Sequence, residues 1–432
     1  MKKIGIICEY NPFHNGHLYH LKKAREITGA DSVIVVMSGN YVQRGTPAII
    51  PKHLRAKSAL LSGADLVLEL PVCYASGSAE FFAEGAVSLL DSLGCIDSIC
   101  FGSECGDCDT LGAAAQILAE EPQDYKTALQ NVLREGLSFP QARQNALKEY
   151  LTKFVAAFNE EAPKNVGNLT EILAQPNNIL GIEYMKALVK RQSNIKCYSI
   201  KRIGAGYHDH ELTEQYSSAS AIRQNIAAFD QNIRSTDKPS LPEHLKHQLP
   251  SCAWKLMEET YGTRCPVYAN DFSLLLKYKL LQETKQSLAS YMDISEDLAN
   301  RILNLRNEFA AFDDFCDILK TKDTTYTRIS RGLLHILLNI KTEDFETYKT
   351  TGYCHYAHIL GFRKDSAKLL SLLKKTSKVP LLTKLTKTGE LSDSGRKMLS
   401  QDIFASDLYE SVITEKFRTP FINEYKQQII RI

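Results

Sequence analysis

The chain has 432 residues, 44% hydrophobic and 24% charged, the proportions of an ordinary folded protein, which exclude a disordered chain or a coiled coil and argue for two domains or one large one. Its 52 Lys and Arg against 50 Asp and Glu leave a net charge of +2, so the overall field gives no reason to expect a nucleic-acid or membrane partner and any basic surface must be local. No apolar run reaches the ~18 residues needed to cross a bilayer, and Met1-Lys2-Lys3-Ile4-Gly5 leads into a strand-like segment, not a signal-peptide core. A cytoplasmic protein is expected, and the 11 scattered cysteines suit buried thiols in a reducing compartment better than a disulfide framework.

The first half alternates strand and helix signals. Lys3 to Cys8 is a short apolar run, and Gly16 to Thr28 carries Leu18, Leu21, Ala24 and Ile27 at helical spacing. Ser32 to Met37 is β-branched and uninterrupted, as in a strand buried on both faces; Asp65 to Leu70 repeats the pattern, and Ile96 to Phe101 is a fourth candidate. Helical stretches at Lys52 to Ser62 and Ser78 to Leu93 lie between them, so the order reads as an α/β fold with an open parallel sheet wrapped by helices. Gly102 to Asn168 is mostly helical in pattern, and Pro176 to Lys190 reads as a helix leading into a strand at Ile195 to Ile203. Beyond a Pro/Ser/Lys-rich linker at Ser235 to Pro242, amphipathic stretches such as Ser273 to Gln282, Ser295 to Asn307 and Ser366 to Lys375 suggest a mainly helical second domain. The expected division is 1–235 and 236–432.

The chemistry concentrates where the first strand empties into Glu9-Tyr10-Asn11-Pro12-Phe13-His14-Asn15-Gly16-His17 ahead of a helix. Two imidazoles, with a glycine allowing close backbone approach between them, then stand at a helix N-terminus, where unpaired N–H groups and the dipole favour phosphate. Far downstream, Tyr216-Ser217-Ser218-Ala219-Ser220-Ala221-Ile222-Arg223 starts another helix with serine hydroxyls and a guanidinium, which reads either as a second anion cradle or as a capped helix with a solvated arginine.

H-x-G-H after the first strand and a later S-S-x-S-x-I-R resemble the nucleotidylyltransferase superfamily, whose Rossmann-like domains bring an ATP α-phosphate under attack. The runs Gly5 to His17, Met37 to Gly45, Ala64 to Pro71, Phe101 to Glu104, Pro176 to Gly181 and Ile200 to His208 are more specific and resemble the bacterial tRNA(Met) cytidine acetate ligase family. The second domain, including His358-Ile359-Leu360-Gly361-Phe362, is similar but less diagnostic. The resemblance implies a Rossmann-like ATP-binding domain followed by a helical domain. It also implies activation of acetate by ATP, with Mg2+ on the phosphates, as acetyl-adenylate, and transfer of the acetyl group to N4 of the wobble cytidine of elongator tRNA(Met).

By the same resemblance, His14 and His17 are catalytic. The ATP site runs along Ile7, Cys8, Glu9, Tyr10, Asn11, Pro12, Phe13, His14, Asn15, Gly16, His17, Leu18, Tyr19 and His20, with Gly102, Asn177 or Asn178, Arg202, Ser218, Ser220 and Arg223 completing it. Charge builds on phosphate oxygens during attack, so the site needs positive donors more than a general base; at least one histidine is expected to be cationic under the triphosphate. Arg55 and Lys57 are expected on the exposed face of their helix, and Arg44 in a loop that either touches substrate or is solvated.

For tRNA, the stretch from Arg363 to Lys397 is rich in lysine, and Lys374, Lys375, Lys378, Lys384 and Lys387 are the candidate contacts, the alternative being a solvated helix face. No permanent metal is expected: Cys105-Gly106-Asp107-Cys108 lacks the second close pair of a zinc site among Cys95 and Cys100, and His208-Asp209-His210 lacks a third ligand. Two other readings of the chain are a small-molecule nucleotidylyltransferase acting on a phosphate ester and an RNA-binding protein with a regulatory nucleotide site.

Overall fold

The computed structural model describes residues 1–136, 139–158, 169–202, 216–232, 240–386 and 388–432. The chain begins with β1 (Lys3–Cys8), α1 (Asn15–Thr28), β2 (Ser32–Ser38), a small antiparallel hairpin of β3 (Tyr41–Val42) and β4 (Thr46–Pro47), α2 (Lys52–Leu61), β5 (Leu66–Leu70), α3 (Val72–Ala75) and α4 (Ala79–Ser92). Next come β6 (Ser98–Ser103), α5 (Cys108–Glu120), α6 (Gln123–Arg134), α7 (Phe139–Phe158), α8 (Leu169–Ala174), α9 (Pro176–Lys190) and β7 (Lys196–Lys201). The rest comprises α10 (Ala219–Asn232), α11 (Ser251–Thr260), α12 (Ser273–Gln282), α13 (Lys285–Ala289), α14 (Glu296–Leu305), α15 (Phe312–Leu319), α16 (Tyr326–Leu338), α17 (Thr342–Thr350), β8 (Ala357–Phe362), α18 (Ala367–Thr376), β9 (Leu381–Leu382), α19 (Asp393–Phe417) and β10 (Ile430–Arg431).

Two compact units result: Met1–Ile96 with Gly204–Ile432, and Asp97–Ile203. In the first, β1, β2 and β5 pair in parallel, in register from Lys3 opposite Ser32 and from Ile34 opposite Leu66. Every residue of β2 and β5 is buried, which is why both read as continuous apolar runs. In the second unit β6 pairs with β7 in parallel, and α5 packs on α9. The expected α/β fold with a mostly parallel sheet is therefore present.

The grouping differs from the expected division at residue 235. The mainly helical C-terminal part also carries strands: β8 runs antiparallel beside β5, with Leu66 opposite Phe362, and β9 and β10 each pair in parallel with β8. β8 is buried over Ala357–Gly361, so this segment adds a buried strand to the sheet of the first unit and packs against α2. The expected linker falls largely on 233–239, and His208 and His210 on 203–215, outside the described residues.

Candidate functional site

β1 ends at Cys8, and the chain then turns through Tyr10, which takes a positive φ of 52°, into α1. His14 is the N-cap of α1: its Nδ1 accepts from Gly16 N–H at 3.0 Å, and the His14 N–H donates to His17 Nδ1 at 3.3 Å. The two rings lie 3.8 Å apart between centroids, and Tyr10 packs edge-on against both Phe13 and His17. An Nδ1 that accepts a backbone N–H carries no proton of its own, so each ring holds its proton on Nε2. Two Nε2–H donors are thereby fixed at the positive end of a helix with no acidic residue in its first turn. A Cβ on Gly16 would stand 2.9 Å from His14 Cε1, so the glycine makes room for the imidazole rather than for a ligand.

The second motif comes to the first. Ser218 caps α10, its Oγ accepting from Ala221 N–H at 3.0 Å. Arg223 is half-buried, and its Nη1 donates to Asn11 O at 2.6 Å and its Nη2 to Ser220 Oγ at 3.1 Å. Asn11 is itself built in, with Oδ1 accepting from Ile49 N–H at 2.9 Å. Asn15 reaches His247 O at 2.7 Å, and the Tyr19 ring lies 6.1 Å from that of Tyr216. Ile7, Cys8 and Glu9 are half-buried at the strand end, Pro12 and Phe13 are buried, and Leu18 and His20 are half-buried on the first turns of α1. Burial pushes the Cys8 thiol up, which keeps it neutral and no nucleophile.

The remaining expected ATP residues lie in the unit Asp97–Ile203. Arg202 donates its N–H to Ser103 O at 2.9 Å and is exposed beside Gly102, where a Cβ would meet Arg202 Cγ at an ordinary 3.5 Å; packing alone does not demand that glycine. The two asparagines separate clearly. Asn178, 1% exposed, spends its amide inside the unit, accepting from the N–H groups of Glu104 and Cys105 and donating to Ile172 O. Asn177 is half-buried and donates Nδ2–H to Glu104 Oε1 at 2.6 Å. Glu104, which sequence reasoning left out of the site, also accepts from the backbone N–H groups of Asn177 and Asn178 and so closes the start of α9. The geometry leaves Asn177 as the asparagine that faces outward.

Sequence reasoning misplaced Arg55. It is 1% exposed, and its guanidinium donates to Ile50 O (2.9 Å), Ser38 O (3.2 Å), Glu9 O and Gly39 O, pinning the loops that leave β1 and β2. Lys57 is exposed as expected. The signal was present: Lys52, Arg55, Ala56 and Ala59 stand at i, i+3, i+4 and i+7, the spacing of a buried face. Lys52 is also 1% exposed and contacts Glu69 (2.7 Å) and Glu424 (2.8 Å). Glu69, His358 and Glu424 are the only three possible metal ligands that converge among the described residues, and the Lys52 ammonium already occupies the place of a cation there. Cys95, Cys100, Cys105 and Cys108 form no disulfide among the described residues, and Lys374, Lys375, Lys378 and Lys384 are exposed; Lys387 lies outside the described residues. No helix among the described residues is long and apolar enough to cross a membrane.

Residues 1–423 match the family described as HIGH Nucleotidyl Transferase. The chain is 41% identical over 430 residues to the tRNA(Met) cytidine acetate ligase of Clostridium acetobutylicum, with 100% of each chain covered. To the protein of the same name from Acetivibrio thermocellus it is 40% identical over 411 residues, 95% of this chain and 94% of that one. Among solved structures it is similar to apo TmcAL of Thermotoga maritima, with a TM-score of 0.89, 34% identity and 100% of both chains covered. The TmcAL structure bound with alpha-thio ATP matches with a TM-score of 0.87 and 33% identity, again over 100% of both chains.

Proposed function

We propose, because the chain belongs to the HIGH nucleotidyl transferase family and within it to the tRNA(Met) cytidine acetate ligases, that it is an ATP-dependent ligase forming N4-acetylcytidine in elongator tRNA(Met). The observation that carries the reading is the bond from Arg223 to Asn11 O, which sets the second anion motif against the loop that presents His14 and His17. In the first step an acetate oxygen attacks the ATP α-phosphorus, the bond to the β-phosphate oxygen breaks, and pyrophosphate leaves. Negative charge grows on the α-phosphate oxygens and on the leaving group. The Nε2–H groups of His14 and His17, the start of α1 and Arg223 are the donors this charge requires. Mg2+ would travel with the nucleotide, held by its phosphates and water. In the second step the cytidine N4 attacks the acetyl carbon, AMP departs with the bond electrons, and N4 loses a proton.

The residues from Ile7 to His20, with Ser218, Ser220 and Arg223, would line the nucleotide, and Gly102, Asn177 and Arg202 are the further contacts that the resemblance implies. Asn178 would act through the loop it holds. The exposed Lys374, Lys375, Lys378 and Lys384 would meet tRNA phosphates, giving the C-terminal part the larger share of RNA binding, and the enzyme would work in the cytoplasm. The test is acetate-dependent exchange of labelled pyrophosphate into ATP, followed by nucleoside mass analysis of bacterial tRNA incubated with the protein. Exchange together with new acetylcytidine supports the ligase; exchange driven only by a phosphate ester would make it a small-molecule nucleotidylyltransferase.

A further inference from the structure

The ends of β1 and β2 carry buried donors that the chemistry above leaves unused. Ser38, the last residue of β2, is 0% exposed, and among the described residues its Oγ has no hydrogen-bond partner. Gln43, at the tip of the β3–β4 hairpin, donates its backbone N–H to Glu9 Oε1 at 2.8 Å, yet its side-chain Nε2 is buried and has no partner among the described residues. Buried polar atoms are almost always satisfied, so two such donors, one at the end of β2 and one in the hairpin that follows it, suit a ligand that accepts.

A cation backs them. Four of the five N–H bonds of Arg55 go to carbonyl oxygens, two of them those of Ser38 and Gly39. Among the described residues no carboxylate stands within ion-pairing distance of this guanidinium; Glu9 and Glu69 act on it only from further away. The hairpin is also held in place. Gly45 takes φ +77°, a Cβ there would stand 2.3 Å from the backbone N of Arg331, and its carbonyl accepts from Ser330 Oγ at 2.9 Å on α16. A donor on a hairpin pinned this way, as Gln43 is, is pre-organised for a ligand.

We propose that Ser38 and Gln43, backed by Arg55, form the carboxylate subsite that receives the acyl donor. This deepens the ligase reading and rests on it. A hydroxyl and a carboxamide N–H suit the two oxygens of a small carboxylate, and the Arg55 charge offsets the nearby Glu9. The subsite lies beyond the carboxyl ends of two adjacent parallel strands, where open α/β sheets bind ligands. The Glu9–Gln43 bond ties it to the loop that leads into His14, from which a bound carboxylate would meet the α-phosphate.

The experiment measures KM for acetate and for ATP in pyrophosphate exchange with the full chain, for the wild type, Ser38→Ala, Gln43→Ala and Gln43→Glu. Loss of one donor to a carboxylate should raise the acetate KM about tenfold in each alanine variant, with the ATP KM unchanged. Gln43→Glu, which puts a like charge beside the carboxylate, should be worse than Gln43→Ala. Ser38→Ala should melt no lower than the wild type, because it removes a hydroxyl that has no partner. Unchanged acetate KM in the alanine variants, or an equal rise in the ATP KM, overturns the subsite. Absence of acetate-dependent exchange in the wild type would instead sink the ligase reading, and the subsite with it.

Discussion

Lys52 and Arg55 stand one turn apart on α2, each 1% exposed, and their charges are met in opposite ways. The Lys52 ammonium touches both Glu69 oxygens at 2.7 and 2.8 Å, Glu424 at 2.8 Å and Ser406 Oγ at 2.8 Å, while His358 Nδ1 lies 2.8 Å from Glu69. Burial opposes every charge in this centre, but the partners win: Lys52 is held above its ordinary pKa by Glu424 and Glu69, and Glu69 and Glu424 are held below theirs chiefly by Lys52. Among the described residues, Arg55 donates only to carbonyl oxygens. The first arrangement is complete and ties α2 and β5 to β8 and the C-terminal segment. The second fixes two loops and leaves a positive charge for a ligand to answer.

Replacing each cation by methionine should separate these roles. Lys52→Met strands buried carboxylates and should cost about 3–5 kcal/mol of stability, read as a shift in urea midpoint. Arg55→Met orphans carbonyls but no charge, so a smaller loss, about 1–3 kcal/mol, should accompany a larger fall in pyrophosphate exchange than stability explains. If Arg55→Met proved the more destabilising of the two, the distinction drawn here would fail.

Asp402 offers a pH test of the paired centre. It accepts from Val72 N–H at 2.7 Å and from the Tyr356 hydroxyl, and burial, then the Glu69 charge, raises its carboxyl to about 7. The folded protein therefore binds this proton more tightly than the unfolded chain, so its contribution to stability is full below the ordinary Asp range and declines as pH rises towards 7. Glu69 and Glu424 act the other way: their contribution is full above the ordinary Glu range and lost as pH falls below it. Denaturation midpoints at pH 5 and pH 8 should show a smaller alkaline loss in Asp402→Asn than in the wild type; equal losses would remove Asp402 from the account.

The exposed lysines mark the small end of the scale. Lys374→Glu with Lys375→Glu should change stability by no more than about 0.5 kcal/mol, yet weaken tRNA binding and flatten its salt dependence. Filter binding across a salt series would show it, and an unchanged slope would move the RNA surface elsewhere.

How legible these features were in the sequence depends on distance along the chain. β2 and the helices Pro176–Lys190 and Ser273–Gln282 were readable because their patterns are local. The pairing of Leu66 with Phe362 was not, since nothing near β8 announces an antiparallel neighbour and β9 and β10 are two residues each. In the site, H-x-G-H and the serine-arginine motif were both visible, but not that Arg223 holds Asn11. The choice between Asn177 and Asn178 depended on which neighbour faces inward, and burial of Arg55 on carbonyls that come from three different loops.

The central claim is that His14 and His17 act through Nε2 donors set by their capping bonds, and His14→Asn tests it most directly. Asparagine is a favoured N-cap whose Oδ1 can take over the Gly16 N–H, so the cap survives while the distal donor is lost. The account predicts an unchanged melting temperature with acetate-dependent pyrophosphate exchange reduced about 10²–10³-fold. Wild-type exchange in this variant would contradict it.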